Sequence, residues 1–417
     1  MKASWKLIFL LLLNVNSMAF DKDLILDDYF VYKKSYLDEF NNYKRINKEE
    51  YQKFKKEVKK YWDVPELSSQ KVWVQYSSDF QQKSRVDFEH GIITISRIQS
   101  PSSPKVSIKK TVEKLLSTTK KQAFENDQLA QSIESRTLKE VNSSLSATLS
   151  SQPVFLGHLF NAKKNIKATV QALLNNKTVT RDKNRKGKQV VTVSIPINPE
   201  QSTLKKSQPS HTSSFDIKST AYLFKKDLLI QKSVPYSADK LPNRARPIAT
   251  WVQKHALAQS VPIPLIFALV EAESSFNPMA KSHIPAYGLM QIVPTSAGKD
   301  ASKRIFGEMK VLTPSYLYHS EKNIQMGAAY LHILFYQYLK SVENPVSRLY
   351  CTIAAYNTGA GNVARAFTGK TNIHMAAKKI NQLAPDQVYS HLIKHLPYKE
   401  TKNYLKKVNR LLSIYHT

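Results

Sequence analysis

The sequence predicts an α+β protein: a mixed α/β N-terminal domain over residues 20–197, then an all-α domain over residues 244–417. Alternation of apolar and polar residues with period two marks half-buried strands in the first part, as in Val191, Val193 and Ile195 with Thr192 and Ser194 between them. From Pro247 onward apolar residues recur at steps of three and four, and strand patterns are hard to find. Between the two parts, residues 198–214 are dominated by Pro, Ser, Thr, Gln and Lys. Residues 198–243 therefore read as a linker or mobile insertion.

Residues 1–19 have the layout of an export signal: Lys2 and Lys6, an apolar run over residues 7–13, then Ser17-Met18-Ala19 with cleavage after Ala19. That run is too short to span a bilayer, and no later segment reaches the needed length. Residues 27–61 form a charged, aromatic-rich helix whose Tyr36, Phe40 and Tyr43, then Tyr51, Phe54 and Val58, face the core. Pro65 follows its end. Residues 72–76, 86–88 and 92–95 read as strands, the last two joined at His90-Gly91. Pro101 and Pro104 precede a helix with Ile108, Val112, Leu115 and Leu116 along it. In the second part, helices are expected over 248–257, 264–275, 324–338, 346–356 and 402–414.

With 417 residues the chain has ample length for two cores. Its single cysteine, Cys351, excludes an intramolecular disulfide, so packing alone must hold the fold. The formal charge is +30, from 62 Lys and Arg against 32 Asp and Glu, and the excess is spread over both parts. Such a field favours polyanions. No nucleic-acid recognition motif is visible, and with an export signal the expected partners are the anionic wall or an outer-membrane surface. No phosphate loop, dinucleotide fingerprint or Ser-His-Asp layout is present. His391 and His395, four apart, lack companion ligands, so neither a metal nor a cofactor is assigned.

Glu273 is the candidate for chemistry. Leu265, Ile266, Leu269 and Val270 recur at helical spacing, and Glu273 falls three and four residues beyond the last two, on the apolar face. Pro278 disfavours helical geometry at Asn277, so the helix ends just past Glu273. Burial and the negative helix end both disfavour a charged carboxylate and raise its pKa. That suits a proton donor working near neutral pH. Glu271 points elsewhere and reads as a solvated residue.

Four blocks in order carry a resemblance to the catalytic domain of the soluble lytic transglycosylase and goose-type lysozyme group. They are Glu273-Ser274-Ser275-Phe276-Asn277-Pro278; Ser282 with Gly288-Leu289-Met290-Gln291-Ile292-Val293-Pro294; Ala354-Ala355-Tyr356-Asn357-Thr358-Gly359-Ala360-Gly361; and Leu396-Pro397-Tyr398-Lys399-Glu400-Thr401-Lys402-Asn403-Tyr404. A wider match, through Gly298-Lys299-Asp300, Asn344-Pro345-Val346-Ser347-Arg348 and residues 74–95, resembles the lytic transglycosylase C family. Residues 199–243 have no counterpart. Two departures stand out: Val293 replaces a Met common in relatives, and the family's lipobox cysteine is absent. An exported, periplasmic protein with no lipoprotein anchor is therefore expected.

The resemblance implies a lysozyme-like catalytic domain that cleaves peptidoglycan strands with one carboxylate, where most glycosidases use two. Glu273 would protonate the oxygen between N-acetylmuramic acid and N-acetylglucosamine, with the muramic acetamido group steadying charge at C1. As a base it would then activate the C6 hydroxyl, which closes a 1,6-anhydro ring. Gln291 would line the sugar groove, and Tyr356 would hydrogen-bond Glu273. Asn357 would shape the Tyr356 loop or bind sugar, and Ser282 would place a hydroxyl nearby. Glu400 would contact peptide stems or cap its helix. The alternatives are a muramidase, with Asp300 or Glu308 to activate water, and a non-catalytic wall-binding scaffold. The sequence leaves the role of the N-terminal domain and the oligomeric state open.

Overall fold

A computed structural model describes residues 22–99, 107–141, 144–151, 166–197, 241–283 and 285–415, with the backbone alone for residues 22–36. The expected signal peptide, Pro101, Pro104, Tyr36's side chain and all but the last three residues of the expected linker lie outside the described residues.

The chain is α+β. Its first part holds α1 (Lys22–Lys59), β1 (Val72–Tyr76), β2 (Gln82–Asp87), β3 (Ile92–Ile98), α2 (Ile108–Ser117), α3 (Lys120–Glu125), α4 (Gln128–Glu140), β4 (Ser144–Leu145), α5 (Ile166–Asn175), β5 (Thr178–Lys183) and β6 (Gln189–Pro196). Five strands form an antiparallel sheet in the order β1-β2-β3-β6-β5. The register sets Trp73 opposite Val86, Val86 opposite Ile93, and Ile93 opposite Ile195, so four buried side chains make one apolar row across the sheet. On α1, Tyr43 and Val58 are buried, and Tyr51 and Phe54 pack against the core as their spacing predicts. Strands β2 and β3 run longer than the apolar pattern suggests. Pairing carries them through polar residues, among them Ser96, whose hydroxyl meets that of Thr192 at 3.0 Å.

The second part is helical: α6 (Ala249–Gln259), α7 (Ile263–Ser274), α8 (Ala297–Phe306), the two-residue β7 (Val311–Leu312), α9 (Pro314–Tyr318), α10 (Ser320–Ile333), α11 (Pro345–Thr358), α12 (Ala360–Thr368), α13 (Ile373–Ile380), α14 (Pro385–His395) and α15 (Lys399–Tyr415). The single helix expected over 324–338 is α10 followed by a π-turn at Leu334–Tyr338. Asn344 starts α11 by accepting from the backbone N–H groups of Val346 and Ser347, with Pro345 at the first helical position.

One continuous hydrophobic cluster runs from Tyr43 and Trp73 to Tyr415, through both parts. Polar contacts tie them as well. The buried carboxylate of Glu134 on α4 accepts from the backbone N–H (2.8 Å) and hydroxyl (2.5 Å) of Ser315 at the start of α9. β4 pairs in parallel with β7, and Lys120 on α3 donates to Ser320.

Asn323 on α10 is the keystone of the loop that follows α7. Its amide donates to the carbonyls of Tyr287 and Leu317, both at 2.8 Å, and its oxygen accepts from Met290 N–H at 2.8 Å. Gly288 lies against it with φ of +76°, and a Cβ there would stand 2.2 Å from the Leu317 carbonyl. Asn323→Ala removes three buried hydrogen bonds to the backbone. Of the groups released, the Tyr287 carbonyl keeps another partner, Ile292 N–H at 3.1 Å, and the expected loss is about 3 kcal/mol of unfolding free energy in a urea titration.

Candidate active site

Glu273 sits in the last turn of α7, whose other residues are apolar apart from Glu271 and the terminal Ser274. The helix stops because Ser275 and Phe276 adopt left-handed backbone, with φ of 49° and 65°. Glu273 is only 6% exposed. Its Oε1 accepts a 2.6 Å hydrogen bond from the Tyr404 hydroxyl on α15. Burial pushes the carboxyl up to about 7, against the lowering effects of that hydrogen bond and of the Lys407 cation, with Glu400 adding a raise. Lys407 donates to the Ala272 carbonyl at 3.0 Å, which fixes its charge one residue from the acid.

The other expected residues are placed as follows. Gln291 has φ of 49°, is buried, and donates to the Gly288 carbonyl at 2.9 Å. Its side-chain oxygen is buried with no hydrogen-bond partner, an acceptor left over in a closed turn. Tyr356 does not hydrogen-bond Glu273. Its hydroxyl donates instead to the Met290 carbonyl at 2.8 Å, although Glu273's charge reaches it and helps raise its pKa after burial. The physical reason is the geometry of α11, which aims Tyr356 at the Gly288–Gln291 turn, so the phenol contacting the acid comes from α15. Asn357 accepts from the Thr401 hydroxyl at 2.7 Å and joins the end of α11 to α15.

Ser282 closes a short turn, its hydroxyl accepting from Ala286 N–H at 3.1 Å, and it lies in the wall of the neighbouring cavity. Glu400 is exposed in the first turn of α15, near enough to influence Glu273. Glu271 is half-buried and accepts from Tyr415, which corrects its reading as a solvated residue. His391 and His395 lie with ring centroids 4.3 Å apart and tilted by 32°, and His391 is bonded to the Ala366 carbonyl at 2.9 Å.

The residue that sequence reasoning missed is Tyr404. Its block was read for Glu400, yet Tyr404 lies on the buried face of α15 with Leu405, Val408, Leu411 and Leu412. That amphipathic periodicity places a phenol toward α7 and is the signal that could have found it.

Two family models match. The Transglycosylase SLT domain covers residues 250–381, and the N-terminal domain of membrane-bound lytic murein transglycosylase C covers residues 39–208. Membrane-bound lytic murein transglycosylase C of Haemophilus influenzae is 31% identical over 362 residues, 85% of this chain and 84% of the relative. The protein of that name from Sodalis glossinidius is 44% identical over 182 residues, 44% of this chain and 49% of the relative. The 70 kDa soluble lytic transglycosylase of Escherichia coli, 24% identical over 42% of this chain and 25% of its own, superposes with a TM-score of 0.31, too low to carry an argument.

The matched domains define a lytic transglycosylase, a lyase that acts on peptidoglycan. The chain belongs to the membrane-bound lytic murein transglycosylase C family. Those relatives are named as membrane-bound, and the expectation of no lipoprotein anchor is withdrawn on that ground. Cys351, the cysteine on which the expectation turned, is fully buried in α11. No helix among the described residues is long and apolar enough to cross a membrane.

A carboxyl whose folded pKa of about 7 exceeds its ordinary 4.5 weakens the fold as pH rises. Below 4.5 both states are protonated. Between 4.5 and 7 the unfolded chain loses its proton first, and above 7 the loss of stability, on the order of 3 kcal/mol, is complete. Glu273→Gln removes this penalty. Its melting temperature should exceed wild type at pH 8 and match it near pH 4.5 in thermal scans. Tyr404→Phe removes a hydrogen bond that favours the ionised acid, so the alkaline fall of kcat/KM should move up by roughly half to one pH unit.

Proposed function

We propose that Glu273 is the single acid–base group of this transglycosylase. The observation that carries the reading is one carboxyl buried at an apolar helix end, held by a phenol, with its pKa near 7. Protonated, it donates to the oxygen between N-acetylmuramic acid and N-acetylglucosamine. The muramic acetamido group then steadies the positive charge developing at C1. The ionised carboxylate next takes the proton of the C6 hydroxyl, which attacks C1 and closes the 1,6-anhydro ring. A pKa near ambient pH serves both half-steps, since the group must give and take a proton in turn.

Around it, the unpartnered oxygen of Gln291 is an acceptor for a sugar hydroxyl or acetamido N–H. Tyr356 holds the turn that presents Gln291, and Asn357 braces that assembly through Thr401. Glu400 stands in the first turn of α15 close enough to act on Glu273, and Ser282 lies in the neighbouring cavity. A hydrolytic reading needs a second acid to activate water. The two acids considered for that role have other partners: Asp300 accepts from Tyr338 at 2.8 Å, and Glu308 pairs with Lys310 at 3.4 Å. Residues 244–417 would then be the catalytic domain and residues 20–197 an accessory one. The protein would act in the periplasm after export, with its positive charge favouring the anionic wall or an outer-membrane surface.

Digestion of purified peptidoglycan followed by mass spectrometry tests this. Wild type should release muropeptides one water lighter than reducing ones, and Glu273→Gln should bind sacculi with cleavage reduced at least about a thousandfold. Reducing ends as the main product would establish hydrolysis, and an active Glu273→Gln would remove Glu273 from the mechanism.

A further inference from the structure

A cavity of about 550 Å³ opens between α1, the β1–β2 region, the start of α4 and the loop carrying Ser282. Glu273, Gln291 and Tyr356 are not part of its lining, but the segment that follows Gln291 is. Val293 and Thr295, two and four residues past Gln291, are part of its wall. Phe54, Tyr76 and Phe80 give it an apolar side.

Two charged groups break that apolar lining. The ammonium nitrogen of Lys281 is buried and has no hydrogen-bond partner. It lies over the ring of Tyr287, 5.6 Å from the centroid, which offsets only part of the cost of burying it. Asp127, the N-cap of α4, keeps one oxygen on Ala130 N–H at 2.9 Å. The two groups attract each other across the cavity wall without closing an ion pair. Folding has therefore left a cation and an anion side by side at an apolar cleft, each with unused hydrogen-bonding capacity. Lys44 and Lys48, both exposed on α1, add positive charge at the rim.

We infer that this cavity binds the free amino-acid end of a diamino-acid residue in a wall peptide stem. Such an end carries an ammonium and a carboxylate on one carbon, matching Asp127 and Lys281, and its methylene chain fits the aromatic side. The rim lysines suit the further carboxylates of a stem. A strand without stems offers only the lactyl carboxylate of each muramic acid, with no ammonium for Asp127 and no methylene chain for the aromatic side, so the cavity selects for strands that carry peptides. The inference rests on the peptidoglycan-cleaving reading given above and adds the part of the substrate that this second site recognises.

The test compares kcat/KM on glycan strands with stems intact and on strands stripped of stems by an amidase. Wild type should favour the intact strands by roughly tenfold. Lys281→Met, which keeps the volume and removes the charge, should bring that ratio close to one. Asp127→Asn, which keeps the helix cap, should do the same. With wild type alone, a free stem peptide should compete with intact strands, and the same peptide acetylated on its diamino-acid amine should not. Equal wild-type rates on both strands, or an unchanged ratio in both variants, would overturn the inference. So would equal competition by the two peptides. Failure of wild type to cleave either strand would instead strike the proposed function, which keeps the two outcomes apart.

Discussion

A carboxyl that trades protons near neutral pH has to be kept from water without being left without a partner. The end of α7 meets both demands. Its sequence is apolar up to Glu271, so the helix can be buried whole, and the left-handed Ser275 and Phe276 turn the chain away immediately afterwards. Desolvation is the larger effect, since the carboxyl stands near 7 although Tyr404 and Lys407 both pull it down. The Tyr404 hydrogen bond fixes the acid in one orientation. The environment of this one carboxyl thereby balances its two protonation states, as the proposed acid–base role requires.

The sheet-bearing part of the chain contributes to the same site by holding its second wall. Tyr287, just ahead of the Gly288–Gln291 turn, is fully buried, and its hydroxyl donates to Asn47 and accepts from Tyr43, both on α1. From the other side, Asn323 binds the backbone on both flanks of the turn, and Tyr356 binds Met290. Gly327 lets Met290 lie against α10, where a Cβ would stand 2.2 Å from its sulfur. The turn is thus clamped between α1, α10 and α11. The left-handed conformation of Gln291, unfavourable for a side-chain-bearing residue, is held by those clamps. A turn held by rigid elements in this way keeps its geometry.

How much of this could be read from sequence follows from which physical effects leave a local trace. Glu273 was legible because apolar periodicity and Pro278 are local signals, and both fixed its place at a helix end. α6, α7, α10, α11 and α15 were legible for the same reason, while α8, α9, α12, α13 and α14 were not foreseen. β5 was not: its six residues are all exposed, so no alternation marks it, and only pairing with β6 makes it a strand. Likewise, the partner of Glu273 lies 131 positions away, and a resemblance in motif order cannot say which of two tyrosines reaches the acid. Tyr356 and Tyr404 divide the work between them, one on the turn and the other on the carboxyl. Asn323 carried no motif at all, since its importance comes from three backbone groups brought together by the fold.

The high positive charge raises a last question of consistency, because a cationic surround lowers the pKa of an acid. A field strong enough to draw an anionic wall toward the protein would, acting alone, ionise Glu273. The two effects act over different distances. Charges on the surface are screened by water and salt within about 8–10 Å, and they act in a medium of high dielectric constant. Desolvation acts at the carboxyl itself and is not screened. The cation that does reach Glu273 is Lys407, itself half-buried and pushed down to about 8 by desolvation, so its charge is present at pH 7 and is lost as pH rises past 8. Its pull on the acid is still outweighed by burial. Attraction to the wall and the strength of the acid are therefore set independently, the first by the surface and the second by the burial of one helix end.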